Sequence, residues 1–146
     1  MNISPRALHK WGLRPSKQGL ECPVARLIPA AVMGSGLGAS LCQRGDYDIQ
    51  LFDQQTVEQY ELMKLRLGDF VAIIDADHSF GRIYKKGAVS VGIVTHCNCV
   101  TAGHGPGVTT ILSSPEGAII PVVDAGANIA DMLGIGIRRN KAPARR

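Results

Sequence analysis

The sequence predicts a mainly β fold: a small β-barrel or sandwich with one or two short helices. Three observations predict it. Seventeen glycines and eight prolines punctuate 146 residues, so turns are frequent. The apolar runs are short and closely spaced. Helical patterning is confined to two brief stretches, which argues against a doubly wound sheet with long alternating helices. Hydrophobic residues make up 45% of the chain but aromatics only 5%, so Val, Ile, Leu and Ala must build the core. The length suits one domain.

Residues 1–26 hold no sustained period, because Pro5, Pro15, Gly19 and Pro23 interrupt it. They read as an extended N-terminal arm, followed by a β-rich domain over 27–137. "TVEQYELMKL" is the best helix, with Thr56 as N-cap and Gln59 completing a capping box. Gly68-Asp69 turns the chain into a short strand, Phe70 to Ile74. "ADHSFGRIYKKG" is a polar connection with room for a short strand of its own. The longest strand spans Ala88 to Val100; Val89, Val91, Ile93 and Thr95 share one face, and Ser90, Gly92, Val94 and His96 the other. Val108 to Ser114 is a strand, "SPEG" a turn, and "AIIPVV" a strand that Pro121 assigns to an edge or a bulge. "ANIADMLGIG" is a short helix capped by Asn128 and stopped by Gly134.

Composition narrows the function classes. The net charge is +4, and the last nine residues, RRNKAPARR, hold five positive charges. This basic tail, 138–146, is expected to be disordered. No aromatic side chains interleave its charges, so a nucleic-acid partner is not expected. The run Leu27 to Gln43 falls short of the roughly 20 apolar residues of a spanning helix, so neither is a membrane. Residues 1–26 lack the apolar run of a signal peptide, and four cysteines form no CxxC pairs; the expectation is a cytoplasmic protein with reduced thiols.

The chemistry concentrates in a few segments. "CVTAGHGPGVTT" sets Gly103, Gly105 and Gly107 around His104. Such glycines permit positive φ and close approach of a ligand to the main chain, whose N–H groups can steady an anion. His104 can then bind a metal or transfer a proton. The bland alternative is a tight connection in which His104 caps a carbonyl. "THCNC" offers His96, Cys97 and Cys99 as metal ligands, but a regular strand turns His96 away from both cysteines. "GDYDIQ" places Asp46 and Asp48 on one face if extended, and "DADH" does the same for Asp75 and Asp77, beside His78. With His96 or His104 these carboxylates suit a divalent cation or acid–base work; alone they are ordinary turn residues. "MGSGLG" spaces Gly34, Gly36 and Gly38 without the frame of a dinucleotide fingerprint, and fits close packing or a subunit contact. In "GRIYKKG", Arg82 is the candidate partner of an anionic substrate, while Lys85 and Lys86 read as solvated surface.

Together "IPAAVMGSGLG", "GDYDIQ", "LRLGDFVAIIDADHSFGRIYKKGAVSVGIVTH" and "AGHGPGVTTILSS" resemble the prokaryotic family catalogued as domain of unknown function 4438, from about Leu27 to Gly136. The resemblance implies a mainly β architecture with barrel-like parts and brings no established activity. It also implies that this chain is N-terminally short relative to the family. "CNC" after His96 departs from the family pattern, which weakens a cysteine–metal site.

The resulting expectation is a small-molecule enzyme, a metal-assisted hydrolase or lyase. His104, His96 and Asp77 are its candidate catalytic residues; Gly103, Gly105, Gly107 and Arg82 would contact the ligand. Asp46, Asp48, His96 and His104 would hold a divalent metal. The competing expectation is a non-catalytic β-barrel module whose glycine-rich segments close a homo-oligomer interface.

Overall fold

The computed structural model describes residues 3–34, 46–96 and 99–135. Two sheets organise them. The larger has the order β3-β5-β6-β7-β4, from β3 (Arg26–Pro29), β4 (Tyr47–Asp48), β5 (Phe70–Asp77), β6 (Ile83–Val94) and β7 (Gly107–Ser114). The smaller has the order β1-β2-β8, from β1 (Arg14–Ser16), β2 (Gly19–Val24) and β8 (Ile119–Val123). The fold is mainly β, as the sequence predicts.

Phe70–Ile74 of β5 and Ala88–Val94 of β6 are almost continuously buried, without alternation, because this part of the larger sheet is covered on both faces. Val71 and Ile73 enter one core with Ile28, Val32, Tyr47, Ile49 and Val108. Phe70 and Ala72 point the other way, into a second core with Trp11, Cys22, Val24, Val89 and Ile119. The smaller sheet supplies this second cover, together with α1 (Pro5–Lys10) and α3 (Ile129–Leu133).

Several elements differ from the sequence reading. The described part of 1–26 is no extended arm: it forms α1, β1 and β2, and β2 pairs in parallel with β8. Trp11 anchors it, stacked on Phe70 with ring centroids 4.2 Å apart and its indole N–H donated to Pro23 O. The interruptions at Pro5 and Pro15 are element boundaries; Pro5 begins α1, where its missing N–H costs nothing. Helix α2 (Gln54–Gln59) begins earlier than expected. Asp53 is the N-cap, and Thr56 is the residue whose N–H it accepts, at 3.0 Å. The helix stops where Glu61 turns left-handed, at φ +50°. The expected short strand near residue 83 is continuous with β6, which ends at Val94. Pro121 does lie in an edge strand, and Asn128 and Gly134 cap α3 as the sequence indicates. Gly36, Gly38, Cys42, Cys97 and the tail 138–146 lie outside the described residues.

Candidate metal centre

The site forms where β4 meets the start of β7. Tyr47 pairs with Val108 and Asp48 with Gly107. Strand periodicity buries Tyr47 in the core and leaves Asp46 and Asp48 to the other face. Thr95, just past β6, donates its N–H to Gly107 O, which brings His96 over the same glycine.

Four of the expected residues converge there. His96 Nε2 lies 2.7 Å from Asp46 Oδ2 and 3.3 Å from Asp48 Oδ1. The other Asp48 oxygen, Oδ2, lies 3.2 Å from His104 Nδ1. In that hydrogen bond the carboxylate oxygen is the acceptor. Donor atoms of Asp46, Asp48 and His96 all fall within 4.8 Å of one another. Donors about 2.1 Å from one cation at right angles stand about 3 Å apart, close to the two distances from His96 Nε2.

Two further features mark the centre. Asp46 Oδ2 is buried and makes no hydrogen bond, although His96 Nε2 is its close neighbour. Such an atom is costly unless something else satisfies it. Gly107 forms the floor: a Cβ there would overlap both Asp46 Oδ2 and His96 Nε2. The two imidazoles remain about half exposed, at 48% and 53%, so the centre opens to solvent.

The glycines of the loop serve separate purposes. Only Gly103 has positive φ, at +82°. A Cβ on Gly105 would overlap Ile49 O, and one on Gly34 would overlap Gly103 O. The loop is therefore pressed onto the 48–50 segment of its own chain, with Ile49 N–H donated to Pro106 O at 2.8 Å. The His104 N–H is already donated to Thr101 O, so it is not available to an oxyanion.

Other candidates lie apart. Asp77 accepts from Ser79 and Ser113, and these hydrogen bonds hold its carboxyl below the usual carboxylate range. Ser113 and Gly107 sit near opposite ends of β7, roughly 20 Å apart at ~3.3 Å per residue. Asp75 takes a left-handed turn at a bulge in β5, where Oδ1 accepts the Gly87 N–H. His78 packs edge-on to Tyr47 and meets Thr110 through Nδ1. The Arg82 guanidinium lies 4.7 Å above the Tyr47 ring, and the Arg82 N–H is donated to Tyr47 Oη. Tyr47, which the sequence reading passed over, therefore backs the acidic pair. Its signal was alternation: an aromatic between two aspartates in a strand belongs to the opposite face. Cys99 is exposed, and hydrogen bonds from Thr101 hold its thiol below its ordinary value.

The family model described as domain of unknown function (DUF4438), C-terminal, matches residues 10–133. The chain belongs to this family. This DUF4438 domain is also similar to the crystal structure of TM1086, at 45% identity and TM-score 0.81, over 90% of its length. The chain spans 46% of the length of that protein. No curated protein matches it. Among the described residues, no helix is long and apolar enough to cross a membrane.

Proposed function

We propose that this DUF4438 domain binds one divalent cation on Asp46, Asp48 and His96 and serves a hydrolytic or eliminative reaction on a small molecule. The observation that carries the reading is the buried Asp46 Oδ2, without a hydrogen bond and facing His96 Nε2 over the bare Gly107. Two carboxylate oxygens and one imidazole suit Mn²⁺, Fe²⁺ or Zn²⁺. When bound, such an ion supplies Lewis-acid polarisation of a substrate oxygen. Asp46 and Asp48 would hold it, His96 would complete the ligand set, and the open face would admit substrate. Asp77 takes no part, being held by Ser79 and by Ser113 at the far end of β7. Arg82 supports Tyr47 from behind the acidic pair.

The competing reading, a glycine-lined interface between copies, has less support, because Gly34 and Gly105 are explained by contacts within the chain. The test is the metal content of tag-free protein by plasma mass spectrometry, before and after dialysis against Mn²⁺ or Zn²⁺. One ion per chain is expected, and none in Asp46→Asn or His96→Ala. An unloaded parent protein would overturn the reading and leave a protonated His96 as the group that neutralises the aspartates.

A further inference from the structure

The Asp48 carboxylate is divided between two histidines. Oδ1 faces His96 Nε2 at 3.3 Å, and Oδ2 accepts from His104 Nδ1–H at 3.2 Å. His104 is outside the group of converging donors formed by Asp46, Asp48 and His96.

We infer that His104 is a positioning residue for the centre rather than one of its ligands. It occupies Asp48 Oδ2 and so limits Asp48 to one-oxygen ligation. This rests on the cation reading above and adds what that reading leaves open. With Asp48 confined to one oxygen, the protein supplies three points of attachment if Asp46 also gives one. Small divalent cations take four to six ligands, so positions are kept for water and an oxygen of the substrate. A carboxylate free to turn would close one of them. The loop is built to hold such a positioning group. His104 N–H is tied to Thr101 O, Pro106 O receives the Ile49 N–H, and Gly105 lies against Ile49 O. These contacts fix His104 to the strand segment that carries Asp48. Outer partners of this kind typically change metal affinity 10–100-fold.

The experiment is Co²⁺ titration of the full chain, followed by calorimetry and by visible absorption, with circular dichroism confirming the fold of each variant. His96→Ala is expected to lose stoichiometric binding. His104→Ala should still bind one Co²⁺ per chain, about 10–100-fold more weakly. Its visible band should weaken as Asp48 turns to give both oxygens. His104→Asn keeps an N–H donor close to the Nδ1 position and should restore both affinity and spectrum. A loss in His104→Ala equal to that in His96→Ala, without rescue by Asn, would make His104 a ligand and overturn the inference. Unchanged affinity and spectrum in His104→Ala would overturn it too. A parent protein that binds no Co²⁺ would bring down the cation reading itself, a result distinct from either.

Discussion

Gly107 lies directly beneath His96 Nε2, so close that a Cβ at 107 would overlap that nitrogen and Asp46 Oδ2 together. Gly107 φ is not in the left-handed region, so alanine fits the backbone. Gly107→Ala should therefore fill the space between the donors. The expected outcome is loss of stoichiometric Mn²⁺ or Zn²⁺ binding in calorimetry, with near-native circular dichroism. Retained affinity would show that the ion does not sit above Gly107.

The N-terminal segment is tied in by Trp11, which is 5% exposed and stacked on Phe70. Trp11→Ala is expected to cost about 3–5 kcal/mol in urea unfolding. The transition should stay single, because Trp11 belongs to the same core as β5 and β6. A separate early transition would mean that α1 to β2 fold independently.

Asp69 is 2% exposed and gathers four donors: the Arg66 N–H, Arg66 Nε and Nη2, and Asn128 Nδ2. Asp69→Ala leaves one Asn128 amide N–H without its acceptor, the other still reaching Leu67 O, and loosens the start of α3 against β5. The expected loss is about 2–4 kcal/mol, read from the denaturation midpoint. Arg66→Ala leaves the buried Asp69 carboxylate without its counter-charge and two of its donors, so it should cost a comparable amount.

The Asp77 carboxyl is held below the usual range, first by the Ser79 hydroxyl and with help from Ser113. A lowered folded value means that the ionised form contributes stability above the ordinary carboxylate value. That contribution is lost as pH falls through the folded value. The stability gap between the parent protein and Asp77→Asn should be constant above about pH 5 and shrink below about pH 4. Chemical denaturation across that range measures it. A gap independent of pH would remove Asp77 from the acid response.

Thiol reactivity should separate two cysteines. Burial pushes the Cys22 thiol up to about 12, while hydrogen bonds from Thr101 lower that of the exposed Cys99. Alkylation at neutral pH, mapped by peptide mass spectrometry, should label Cys99 in the native protein and Cys22 only after unfolding. Native labelling of Cys22 would contradict its placement in the core.

Short-range signals in the sequence carry the fold class and much of the candidate centre. Apolar runs cut by glycine and proline mark β5, β7 and β8. Asn128 and Gly134 bound α3, because caps act within one turn. Period two puts Asp46 and Asp48 together and Tyr47 opposite. The reach of that reasoning ends at the next turn. Residues 1–26 look locally like an arm, since nothing local says that β2 will pair with β8, nearly a hundred residues on. Asp77 falls in with the centre on sequence alone, because proximity in sequence says nothing about which end of a strand faces which loop. Only the pairing of β4 with β7 brings Asp48 to His104 and both aspartates to His96 over Gly107. Such pairing is chosen by burial of both faces of the larger sheet, a property of the whole chain that no single segment encodes.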